Sequence, residues 1–113
     1  MTTTTSADPT AKALLSITLP GTGTLSPEQL RGAGCVWCMT ELHGDSAVDL
    51  QQRYDSVLGV VGRWYPRGCQ RCSLKAVLAE ASRHPRDCEQ CQEQPTLCET
   101  RRALRALALE LRR

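Results

Sequence analysis

Seven cysteines and one of only two histidines fall into a pattern that binds metal: Cys35, Cys38, Cys69, Cys72, His84, Cys88, Cys91 and Cys98. Three Cys-x-x-Cys pairs are followed by a single cysteine. Two intervening residues let a tight turn direct both sulfurs at one ion, and two such pairs complete a tetrahedral Zn²⁺ site. Cys35, Cys38, Cys69 and Cys72 make one full set. Cys88, Cys91 and Cys98 are one ligand short, and His84 supplies it. The eight ligands then form two closed sites with none left over. A cross-braced arrangement, in which Cys35 and Cys38 share an ion with Cys88 and Cys91, is the competing topology. His43 is an alternative ligand for the first site, which would free Cys69 or Cys72.

The elements that must position these ligands can be read around them. "SPEQLRGAG" carries helix signals: Ser26 as N-cap, Pro27 at the first helical position, Gln29 completing a capping box, and Gly32 or Gly34 as stop. "CVWC" follows as a turn. "SAVDLQ" and "VLGVVGRWY" are short β-branched or aromatic runs separated by the polar "QRYDS", and predict two antiparallel strands. A helix is expected from about Arg71 to Arg83, with Leu74, Val77, Leu78 and Ala81 at helical spacing and Pro85 as its end. Residues 99–113 predict an amphipathic helix with Leu104, Leu107 and Leu111 on one face. Cys72 and His84 stand twelve residues apart, ~18 Å along a helix, so one helix can serve a metal at each end.

The order knuckle, hairpin, then Cys-x-x-Cys at a helix start resembles the treble-clef zinc fold, with Cys35, Cys38, Cys69 and Cys72 at the matching positions. Met39 stands where a glycine often follows the second knuckle cysteine. The resemblance implies a small α+β domain folded on metal. A second zinc clasp at residues 84–98 and the C-terminal helix would complete it. Cys72, Cys88, Cys91 and Cys98 have fifteen, two and six intervening residues, a spacing similar to that of the WhiB-like iron–sulfur transcription factors. "ETRRALRALALELRR" has the basic residues that follow the cysteines in those proteins but lacks their glycine-rich turn. An iron–sulfur or thiol redox protein is therefore the alternative reading.

Residues 1–30 are rich in Thr, Ser, Pro and Gly and are expected to form a disordered tail, or at most a segment ordered by a partner through Leu14, Leu15, Ile17 and Leu19. The zinc-binding domain is then 31–113, with its first site within 35–72. So short a domain, in a chain with no Phe and a single Ile, cannot bury much apolar surface, and metal is the expected staple. The N-terminus has neither a basic run nor an apolar run of export-signal length, and no membrane span is expected; the chain reads as cytoplasmic. Twelve Arg against two Lys and no Asn suggest a GC-rich, bacterial coding sequence.

No enzymatic activity is expected. Glu41, His43 and Asp45 cluster in "ELHGD", but metal-dependent nucleases of the HNH group also use Asn, which is absent, and sites filled by four protein ligands leave no position for water. Replacing seven thiol protons by two divalent cations takes the formal charge from +2 to −1. General polyanion affinity does not follow from that total. Two local clusters do suggest a partner, nucleic acid or protein: Arg63, Trp64, Arg67 and Arg71, and on the last helix Arg101, Arg102 and Arg105. A small-molecule substrate is not implied. The expectation is a non-enzymatic adaptor or regulator.

Overall fold

A computed structural model describes residues 9–57 and 60–112. Among these the chain forms five α-helices and two small antiparallel sheets, an α+β arrangement. It divides into two units: Leu19–Ser73, and a second made of the residues before Leu19 together with Leu74–Arg113. In sequence the first unit is inserted into the second; the expectation from the sequence is one zinc-binding domain over 31–113. No helix among the described residues is long and apolar enough to cross a membrane.

In the Leu19–Ser73 unit, a 3-10 turn at Thr22–Thr24 precedes helix α2, Pro27–Arg31. The cap signals are realised in full. Ser26 Oγ accepts the Gln29 backbone N–H, Gln29 Oε1 accepts the Ser26 N–H, and Gly32 ends the helix in the left-handed region at φ 84°.

Strands β1, Ala47–Asp49, and β4, Arg67–Cys69, pair as Ala47 with Cys69 through Asp49 with Arg67. Strands β2, Arg53–Val57, and β3, Val60–Trp64, pair as Arg53 with Trp64 through Val57 with Val60. The polar "QRYDS", expected to separate two strands, is itself half of the hairpin, and "AVD" pairs instead with "RGC". The reason is exposure: Tyr54 and Val61 face solvent, so one side of this two-stranded ribbon places no demand for apolar alternation on the sequence. Its other side carries Trp64, which is buried together with Leu50, Val36 and Pro66.

Helix α3 runs from Gln70 to Asp87, with Ser73 ending its part in this unit. Pro85 does not stop it where expected. A proline forfeits one backbone donor, but helical bonding resumes beyond it, since the Cys88 N–H donates to the His84 carbonyl at 3.0 Å.

In the second unit, helix α1, Pro9–Leu15, packs against α5, Glu99–Leu111. Helix α1, the 3-10 turn at Thr22–Thr24 and most of α2 thus fall within residues 9–30, part of the stretch for which a disordered tail is expected; residues 1–8 lie outside the described residues. The short apolar patch had too little periodicity to declare a helix, yet Ala13, Leu14 and Ile17 are buried, and Ala103, Leu104, Leu107 and Ala108 supply the buried face of α5. The partner that orders this segment is the chain's own last helix. Arg83 reinforces the arrangement by donating to Thr18 Oγ1 at 3.2 Å and pairing with the buried Glu80. Between α3 and α5 lie α4, Glu89–Glu93, and a 3-10 turn at Pro95–Leu97.

Candidate metal centres

The knuckle at Cys35 is held by short backbone bonds. Cys35 N–H donates to the Thr40 carbonyl at 2.8 Å, Met39 N–H to the Cys35 carbonyl at 2.9 Å, and Leu42 N–H to the Ala33 carbonyl at 2.8 Å. The turn places Met39 in the left-handed region at φ 68°, where glycine is the usual occupant. Val36 N–H then donates to the Arg67 carbonyl at 3.0 Å, which docks the knuckle on β4. Cys69 ends that strand and Cys72 sits in the first turn of α3. Gly68 lets these pieces close: a Cβ there would lie 2.6 Å from Ser73 Oγ and 2.8 Å from the Trp37 ring.

The result is a four-sulfur cluster of Cys35, Cys38, Cys69 and Cys72, with every ligand atom within 4.8 Å of the others. Cys38 Sγ and Cys69 Sγ are 3.8 Å apart. Cys35 is buried, Cys69 and Cys72 are half-buried, and Cys38 is exposed.

The second cluster is built by a series of helix ends. His84 lies in the last turns of α3, Cys88 is the N-cap of α4, Cys91 lies within α4, and Cys98 is the N-cap of α5. Gln92 Nε2 donates to the Arg86 carbonyl at 2.8 Å and ties α4 back to the end of α3. His84 Nε2 stands 3.3 Å from Cys98 Sγ, and Cys88 Sγ 3.9 Å from Cys98 Sγ; all four ligand atoms again lie within 4.8 Å. Cys91 and Cys98 are buried.

The grouping is the sequential one and not the cross-braced one. Cys72 stands with Cys35, Cys38 and Cys69, so the WhiB-like quartet of Cys72, Cys88, Cys91 and Cys98 is not assembled. His43 is exposed and belongs to neither cluster; its N–H donates to Ser46 Oγ at 3.1 Å.

Both clusters fit a single tetrahedral ion. With metal–sulfur bonds of about 2.3 Å, the edge of a sulfur tetrahedron is about 3.8 Å, and an edge to a nitrogen ligand is somewhat shorter. The separations of 3.8, 3.9 and 3.3 Å match those edges.

Electrostatics points the same way. The Thr40 hydroxyl, 3.0 Å from Cys38 Sγ, and then the Thr40 backbone lower Cys38 to about 6. Burial, and then the neighbouring Cys69 and Cys38, push Cys72 up to about 12, and burial raises Cys69 as well. In the second cluster the Cys91 backbone lowers Cys88, while burial and then Cys98 and Cys88 push Cys91 up to about 12. Each cluster therefore takes one negative charge readily and resists the next, because burial penalises a further thiolate and the neighbouring sulfurs add to that cost. A divalent cation removes that resistance.

The basic surface needs one correction. Arg63, Arg67 and Arg71 are exposed, but Trp64 is 5% exposed and cannot stack on a ligand. Trp64 fills the core; the exposed rings of this unit are Tyr54 and Tyr65. On α5, Arg102 and Arg105 are exposed and Arg101 is half-buried. Two contributors to the first cluster had no sequence signal beyond the local turn: Thr40, and Gln29, whose Nε2 donates to the carbonyls of Cys35 and Val36, each at 3.1 Å.

No protein-family model, curated protein or solved structure matches this chain.

Proposed function

We propose that this chain is a small zinc-binding protein whose two metal ions are structural, and that it acts as a non-enzymatic adaptor or regulator presenting a metal-held surface to a macromolecular partner. The observation that carries this reading is closure: two tetrads use all seven cysteines and His84, their ligand atoms all lie within 4.8 Å of one another, and separations of 3.8, 3.9 and 3.3 Å match the edges of a single-ion site. Four protein ligands per ion leave no coordination position for substrate or water, the arrangement of structural and not catalytic zinc. The Leu19–Ser73 unit, with its knuckle, hairpin and a Cys-x-x-Cys pair at the start of α3, supports a treble-clef-type reading. The second cluster would be a clasp on the helix ends of the other unit.

When bound, the ions would supply folding energy, because ligands gathered in the native state are scattered in the unfolded chain. Zinc is favoured over an iron–sulfur cluster because sulfurs at the edge length of one ion leave no room for several irons and their sulfides. The test is metal analysis of the purified protein together with its absorption spectrum, before and after a strong chelator. Two zinc ions per chain, no visible absorption and loss of helical signal on chelation are expected. A brown iron chromophore, or a cooperative melt that survives removal of all metal, would overturn the reading.

A further inference from the structure

The β2–β3 hairpin has one buried side and one open side. Directly opposed residues in an antiparallel pair share a face, and residues two apart along a strand share it too. Tyr54 opposes Arg63, and Val61 lies two residues before Arg63. These three therefore occupy one face, away from Trp64 and its partner Arg53. Tyr54 is 68% exposed and Val61 78%, and Arg63 is exposed beside them. Tyr65, one residue past the strand, is also exposed.

The charge around this face is one-sided. Between Asp55 and Glu80 the sequence has no acidic residue, while it has Arg63, Arg67 and Arg71. All three are exposed and none is in an ion pair among the described residues. The open face of the ribbon thus displays the Tyr54 ring beside the Arg63 guanidinium, which has no ion-pair partner among the described residues; Arg67, in β4, stands opposite Asp49 in the other sheet.

We propose that this face binds single-stranded nucleic acid, with Tyr54 stacking on a base and Arg63 holding a phosphate, while Arg67 and Arg71, which follow closely in sequence, add positive charge. Unpaired bases offer flat π surfaces at every nucleotide beside an anionic backbone, which matches rings and arginines together. An acidic peptide would satisfy the arginines and leave the rings with nothing to stack on. A duplex hides its base faces. The proposal rests on the reading that zinc holds the fold, and the two fail separately, because metal content and melting are measured on the same preparation first.

The experiment is fluorescence anisotropy of a short labelled mixed-sequence single strand titrated with the zinc-loaded full chain at several salt concentrations. Each phosphate contact contributes about −0.7 to the log–log salt slope, so Arg63→Gln makes the slope shallower by about 0.7. Tyr54→Ala weakens binding by about tenfold and leaves the slope in place. Both positions are exposed, so zinc content and melting stay at wild-type values, and Lys12→Gln, on the other unit, changes nothing. Zinc-loaded protein that does not bind the single strand overturns the proposal and leaves the metal reading standing. Equal affinity for the duplex, displacement by polyglutamate at matched charge, or equal losses in Lys12→Gln and Tyr54→Ala each overturn it as well.

Discussion

The Gln29 side chain reaches from helix α2 to the carbonyl of Cys35, a distance of 3.1 Å, and bonds the Val36 carbonyl with the same amide nitrogen. Its oxygen meanwhile accepts the Ser26 N–H at 2.8 Å. One buried amide thus closes a helix cap and braces a metal knuckle at once, with both of its donors and its acceptor engaged.

Gln29→Leu should therefore be costly, although it keeps the volume. It takes the side-chain donor from the Val36 carbonyl, leaves the Cys35 carbonyl with only its bond from the Met39 N–H, and removes the half of the capping box that accepts the Ser26 N–H, which together cost about 1–3 kcal/mol. Gln29→Glu keeps the cap oxygen and loses both donors, so it recovers little of the difference. Urea unfolding of the zinc-loaded variants checks both; a Gln29→Leu midpoint equal to wild type would show that the brace is idle.

Gly68 is packed too tightly to carry a methyl group. Gly68→Ala would press a Cβ between Ser73 Oγ and the Trp37 ring, an overpacking cost of about 1–3 kcal/mol. Ser73→Ala should behave in the opposite way: its hydroxyl is buried without a hydrogen-bond partner among the described residues, so removing it leaves stability unchanged or raised by up to about 1 kcal/mol. The pair Gly68→Ala with Ser73→Ala should recover part of the loss, because one of the two close contacts disappears. Thermal melts of the three variants decide the matter, and strict additivity would argue that the two residues do not meet.

Thr40 should tune the first metal site without touching its ligands. Its hydroxyl favours the charged form of Cys38, so Thr40→Val raises that thiol and lets protons compete with the ion at a higher pH. The sign follows from a lowered group: its contribution is present at alkaline pH and is lost as pH falls through the depressed value near 6. One of two zinc ions should leave earlier in an acid titration, with about tenfold weaker affinity at neutral pH. A chromogenic chelator reports the two release steps. Both steps moving together, or neither, would count against this role.

Leu14→Ala tests whether the N-terminal segment belongs to the folded unit. Leu14 is 6% exposed in a helix packed on α5, and truncating it should cost about 2–4 kcal/mol. A melt of the variant identical to wild type would return residues 9–18 to the status of a tail.

How much of this was legible in the sequence depended on how local the determinant is. The two tetrads could be read because Cys-x-x-Cys spacing is a local geometric constraint, and His84 stood next to a set that was one ligand short. The cap at Ser26 and Gln29 was readable for the same reason. Helix α1 was not, since seven residues with a few apolar side chains become helical only on docking to a segment more than eighty residues away. Trp64 and Tyr65 are adjacent and chemically alike; only the register of β3 decides that one is core and the other surface. The polar strand β2 concealed itself because a ribbon with a wet face carries no hydrophobic signature on that side.

The pairing of α1 with α5 also sets an order of assembly during synthesis. The residues of α1 leave the ribosome more than eighty residues before the α5 surface that packs against them. Everything Leu19–Ser73 needs, its four strands and its four sulfurs, emerges in between. Vectorial synthesis therefore favours closing the inserted unit first, while α1 waits as a short amphipathic segment with its apolar side unprotected. In the nascent chain that interval is the window for a chaperone or a protease to act, and docking of the last helix ends it.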